Sequence, residues 1–230
     1  MSEPAGDLQL QAEEFGQEMA GLLSATLPGL PTPPVEILQH NDRVIIRPPD
    51  GKPLPLYIKG EHLAGIKLSV ACTVDSTGKY LAVAESTFNL LAKLDRTPVY
   101  RIHYRRTPAN EPAAHLHVHA HRGALSHLLS QAGHAQPHDI SSLHIPVGGS
   151  RFRPCLEDFV QFLIMECGFD AKPDWRVHVD AGRTRWRCRQ AAVVVRDVPE
   201  EAARVLRELG YKVDPPDPVP APVMKALHNW

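Results

Sequence analysis

A chain of 230 residues, 43% hydrophobic and 22% charged, has room for one sizeable core or for a core and a smaller unit. Its net charge of −1 excludes the broad basic surface that nucleic acid or anionic membrane calls for. No apolar run reaches the roughly 18 residues of a transmembrane helix, and the start MSEPAGDLQLQAEEF lacks the basic and apolar regions of a secretory signal, so none is expected.

Taken in chain order, residues 7–24 predict a helix, with Leu8, Ala12, Phe15, Met19 and Leu22 or Leu23 near a 3.6 period. That helix has either the body of the protein or a partner to pack on. The stretch PGLPTPP at 28–34 ends it. Short strands follow at 35–40, 43–48, 54–60, 66–74 and 80–86, punctuated by HND, PPDGKP and DSTGK. FNLLAKL (88–94) suggests a short helix, and VYRIHYR (99–105) and HLHVHAHR (115–122) a last strand pair. Helical patterns take over at 123–133, at 155–168 with Pro154 before it and Gly168 at its end, and at 199–210. Residues 174–182 suit a turn or two of helix, and 184–197 leans to helix.

The expected fold class is therefore α+β: an antiparallel β-sheet or partial barrel over about 35–122, then a helical portion over about 123–210. The expected organisation is an N-terminal helix and Pro-rich linker (1–34), a β subdomain (35–122), a helical subdomain (123–212) and a flexible Pro-rich tail (213–230).

The stretch HLHVHAHR carries the most chemistry. Side chains alternate along a strand, so His115, His117, His119 and His121 share one face. The same rule puts Tyr100, Ile102 and Tyr104 on one face of 99–105 and Arg101, His103 and Arg105 on the other. If the aromatic and aliphatic faces join the core, five of the 13 histidines collect on the opposite surface. The plainest reading is a polar strand face rich in imidazole.

A metal site is a second reading, on His115, His117 and His119: ligands at i and i+2 on a strand can reach one cation. His103, His138 or His144 is then available as a third ligand. Arg101 and Arg105 oppose it, since no Asp or Glu in the strand pair offsets their charge. A third reading is an anion-binding face, with Arg101, His103 and Arg105 as its cations. Arg151 and Arg153 join that set from the loop IPVGGSRFRP, whose Gly148, Gly149 and Ser150 suit a phosphate cradle or merely a turn. Cys155, at the start of a helix, is a candidate for a lowered thiol pKa, with a buried thiol the plainer reading. The arginines at 183, 185, 187 and 189 spread over more than one helix face, so nucleic acid is not an expected partner.

The run H-L-H-V-H-A-H resembles the His-φ-His-φ-His-φ-φ signature of the histidine-triad nucleotide hydrolases and transferases. The resemblance implies a nucleophilic middle histidine that attacks an α-phosphate. That role falls on His117 in a 115/117/119 triad, or on His119 in a 117/119/121 triad. About eight residues carry the likeness, and His121 and Arg122 stand where the family has its last two apolar positions.

The widely spaced Cys72, Cys155, Cys167 and Cys188 predict reduced thiols and a cytoplasmic location. The Ala, Arg and Pro usage reads as bacterial or phage. The function expected is a binding or regulatory protein acting through contact with another protein, the N-terminal helix being its docking element. The alternative is a phosphoester or nucleotide hydrolase or transferase using His117 and His119, with a nucleotide or phosphate ligand, or else a metal-binding protein. No cofactor is expected beyond a divalent metal at the histidines.

Overall fold

Apolar residues at every second position dictate the sheet. The structure, a computed structural model, describes residues 5–75, 78, 80–93, 98–108, 111–118, 135–139, 141, 145–147 and 151–228. The strands are β1 (Glu36–His40), β2 (Arg43–Arg47), β3 (Leu54–Ile58), β4 (Glu61–Val74), β5 (Leu81–Ala92), β6 (Pro98–Arg105), β7 (Ala114–Val118) and β8 (Ile145–Pro146). All pair antiparallel in one open, eight-stranded sheet of order β1-β2-β4-β5-β6-β7-β8. The fold is thus α+β on an open antiparallel sheet. The 14-residue β4 is its spine: β2 and β3 share one edge of it in tandem, and β5 takes the other.

The helices are α1 (Ala5–Thr26), α2 (Leu156–Met165), α3 (Trp175–Asp197), α4 (Pro199–Glu208) and α5 (Met224–His228). Register lines up Leu68, Phe88, Ile102 and Leu116 across four strands. On that side the sheet meets α1 through Met19, Leu22 and Leu23, and α2 through Phe159, Val160 and Leu163, in one apolar cluster. Phe159 stacks on Phe88 at 5.8 Å and lies 6.4 Å from Tyr100. The apolar side of α1 is therefore spent on the body of the protein. Gly16 brings α1 against β1, where a Cβ would sit 2.5 Å from Ile37 Cδ1.

Asp158 fixes the start of α2. Its carboxylate accepts from the Cys155 amide at 3.0 Å and from Arg183 Nε and an Arg187 amine at 2.8 Å each. Arg189 grips Glu18 through both amines, at 2.6 and 2.7 Å, tying α3 to α1. The arginines of α3 thus include three that serve intramolecular pairs.

Three expectations change. Residues 88–92 are strand rather than helix, because Phe88 and Leu90 face the core while Asn89 faces away, a period of two. Residues 174–182 and 184–197 form one 23-residue helix, α3. The sheet gains β8 beyond residue 122, since His115 and Leu116 offer a free strand edge to residues 145–146. The expected helix at 123–133 and residues 119–122 of the last strand lie outside the described residues. Among the described residues no helix is long and apolar enough to cross a membrane.

Candidate metal centre

Alternation also sets the chemistry of the sheet's other face. With Ile102 and Tyr104 turned to the core, Arg101, His103 and Arg105 project from the far side of β6, as expected. Register then places His103 opposite His115 and Arg101 opposite His117. On its other edge β6 aligns Thr87 with His103 and Glu85 with Arg105. His115 is 0% exposed although it lies on this polar face. The carbonyls of Pro112 and Ser141 reach its ring and that of its neighbour His117 from outside the sheet.

One ring nitrogen from each of His103, His115 and His117 lies within 4.8 Å of the others. Among the described residues this is the one group of three or more His, Cys, Asp or Glu side chains so arranged. The rings of His103 and His115 meet edge to face, with centroids 4.9 Å apart, and those of His115 and His117 likewise at 4.9 Å.

Each imidazole has one nitrogen on a partner that accepts hydrogen bonds and cannot give one. His103 Nε2 lies 3.0 Å from Glu85 Oε1 and His115 Nδ1 lies 2.8 Å from the Pro112 carbonyl. His117 Nδ1 bonds the Ser141 carbonyl. Those nitrogens must carry the protons, which assigns the tautomers. In the neutral rings, His103 Nδ1 and His115 Nε2 are then both lone-pair nitrogens, yet they face each other across 3.2 Å. Two lone pairs at that distance repel unless a cation stands between them. A shared proton answers that need, and so does a metal ion. Two nitrogens about 2.0–2.1 Å from one tetrahedral ion stand roughly 3.3–3.4 Å apart. The observed separation fits, and His117 has roughly 1–1.5 Å to draw in as the third ligand. Carboxylate and carbonyl acceptors behind ligating imidazoles are the usual outer shell of such centres.

The surrounding charge suits a cation better than the sequence predicts. Arg105 is held by Glu111 at 2.9 Å and by Glu85 at 3.4 Å. Arg101 turns its Nε to Asn89 Oδ1 at 2.7 Å. Burial alone pushes the Glu85 carboxyl up, but the His103 hydrogen bond and the Arg105 charge outweigh it and hold Glu85 below its ordinary value of 4.5. Glu85 is thus a carboxylate at neutral pH, beside the histidines. Sequence reasoning missed it because it sits on β5, a strand away from the histidine pair. The signal available was its place in a strand that pairs with β6.

The sequence-derived sets divide. Of the metal set, His115 and His117 come together and His103 completes the trio, while His119 lies outside the described residues, as do His121 and His144. His138 is exposed and outside the trio. Of the catalytic pair, His117 is in the centre. Of the anion set, Arg101, His103 and Arg105 share the polar face. Arg151 and Arg153 go to the other side of the sheet, because residues 151–155 lead into α2 on the core face. There Arg153 is 5% exposed with its guanidinium 3.6 Å from the Tyr104 ring centre, and Arg151 pairs with Asp197 at 2.5 and 3.1 Å. Gly148, Gly149 and Ser150 lie outside the described residues. Cys155 is no activated thiol: burial, then the charges of Glu157 and Asp158, push its pKa well above the ordinary 9.0.

Compared with known proteins, the chain matches no family model, no curated protein and no solved structure.

Proposed function

We propose that His103, His115 and His117 bind one divalent transition-metal ion, with zinc the best fit to an all-imidazole ligand set, and that the centre serves hydrolysis of an anionic ester. The observation that carries the reading is the 3.2 Å approach of His103 Nδ1 to His115 Nε2, when each ring has its other nitrogen on an acceptor. Three protein ligands leave a fourth position open on a tetrahedral ion, where a bound water loses its proton near neutral pH. Arg101, the cross-strand neighbour of His117, supplies a guanidinium for a phosphate or carboxylate group. This reading unites the metal and phosphoester alternatives on one set of residues. Docking through α1 has less support, because its apolar side is buried in the chain's own core. The four cysteines, none of them paired, suit a reducing compartment such as the cytoplasm.

The test is metal titration of protein without a histidine tag. Calorimetry should find one zinc ion per chain with micromolar or tighter affinity, and His103→Ala should weaken binding by at least about 100-fold. Substoichiometric zinc, or equal binding by the variant, would overturn the proposal. Zinc-dependent release of nitrophenol from p-nitrophenyl phosphate, lost in Arg101→Ala with metal still bound, tests the hydrolytic half.

A further inference from the structure

A second feature lies on the opposite side of the sheet. Where α1 and α3 diverge over the ends of β4, β5 and β6, they enclose a cavity of about 810 Å³. That is the size of sites that hold small organic molecules. Phe15, Val83, Val193 and the Trp186 ring give it apolar walls, and Phe15 and Trp186 stack at 6.3 Å.

Its polar lining is dominated by arginine. Arg189 is committed to Glu18 and Arg151 to Asp197. Three further arginines line the space against two further acids, Glu14 and Asp75. Arg106 bonds the Thr73 hydroxyl at 2.8 Å and Arg196 lies over the Tyr80 ring at 4.9 Å, so neither is neutralised by a carboxylate. Arg153 lies between the rings of Tyr104 and Trp186, at 3.6 and 4.9 Å. Burial lowers its pKa to about 10, which leaves it a cation at neutral pH.

The α3 wall is also unfinished in its hydrogen bonding. Trp186 Nε1 and Gln190 Oε1, one turn apart, are the buried side-chain polar atoms without a partner among the described residues. Both residues line this cavity. Buried donors and acceptors are paired in the great majority of native structures. One donor and one acceptor beside an open space point to an occupant that is not part of this chain.

We propose that the cavity binds an organic anion with an apolar or aromatic body, its charged group held by Arg106 and Arg196 and its body against Trp186 and Phe15. A sulfonate, phosphate or carboxylate satisfies the arginines, which present planar donor pairs to such groups. The aromatic walls favour a flat body over a compact inorganic ion.

Fluorescence titration with two probes of nearly the same shape tests this. One is 8-anilinonaphthalene-1-sulfonate; the other is N-phenyl-1-naphthylamine, which lacks the sulfonate. The sulfonate should bind once per chain and at least about tenfold tighter than the uncharged probe. The double change Arg106→Gln and Arg196→Ala should remove that preference and leave the uncharged probe unaffected. Ala192→Trp, which fills the cavity from an exposed position of α3, should block both. Zinc binding on the far face should be unchanged in all these variants, and far-ultraviolet dichroism reports whether each has folded. Equal affinity for the two probes, sulfonate binding indifferent to the arginine changes, or no saturable binding below about 1 mM overturns the proposal.

Discussion

His103 Nδ1 and His115 Nε2 face each other across 3.2 Å, and each ring has its second nitrogen on an acceptor, the Glu85 carboxylate for one and the Pro112 carbonyl for the other. The relationship is set by the β6–β7 register, which places the two residues directly opposite, where Cβ atoms approach most closely. It makes Glu85 as informative as the histidines. A carboxylate behind a ligating imidazole fixes its tautomer and raises its basicity.

Glu85→Gln should therefore leave the fold intact and weaken zinc binding about 10- to 100-fold. Competition against a chromogenic chelator measures it. Retention of the parental affinity would remove Glu85 from the centre. Glu85→Asp, with a shorter reach, should fall between the two.

Acid should release a defined part of the stability. Burial raises the pKa of both Glu85 and Asp158, yet both sit below their ordinary values of 4.5 and 3.8. The His103 hydrogen bond and Arg105 prevail at the first; the Arg183 hydrogen bond and the Cys155 amide prevail at the second. Carboxyls that hold protons less tightly when folded stabilise the native state above their unfolded pKa. That stabilisation is lost as pH falls through the unfolded and then the folded value. Melting temperature should drop steeply below about pH 4.5, and less steeply in the double variant Glu85→Gln, Asp158→Asn. Parallel acid slopes in the two proteins would contradict the assignment.

Phe159 is the centre of the sheet–helix contact, 0% exposed and stacked on Phe88. Phe159→Ala should cost about 3–5 kcal/mol, since a large ring leaves a cavity that the strands are too rigid to close. Urea unfolding followed by dichroism gives the number. A loss under about 1 kcal/mol would mean that the core repacks around the gap.

Gly16 is the point where α1 meets β1, with Ile37 Cδ1 2.5 Å from where a Cβ would stand. Alanine is the better helix former by about 1 kcal/mol, so on propensity alone Gly16→Ala should stabilise. The close approach reverses the sign, since overpacking costs roughly 1–3 kcal/mol. A net loss of about 1 kcal/mol is expected in thermal unfolding. The pair Gly16→Ala, Ile37→Val should recover part of it.

The sequence by itself determined which residues share a face. Strand alternation is local, so Ile102 and Tyr104 inward implies His103 and Arg105 outward, and Leu116 inward implies His115 and His117 outward. The α2 stripe and the run 199–208 were legible for the same reason, a short repeat between near neighbours. The strand at 88–92 was not, because Phe-Asn-Leu-Leu-Ala suits either period until β4 and β6 pair with it.

Only the tertiary structure decided what stands beside what. Pairing β5 with β6 brought Glu85 to the histidines, and folding residues 112 and 141 over β7 supplied two carbonyls. Packing α2 and α3 on the core face sent Arg151 and Arg153 away from Arg101 and Arg105, into a wall of the second cavity. Register and layer order are settled by contacts between residues far apart in the chain, and no local pattern encodes those.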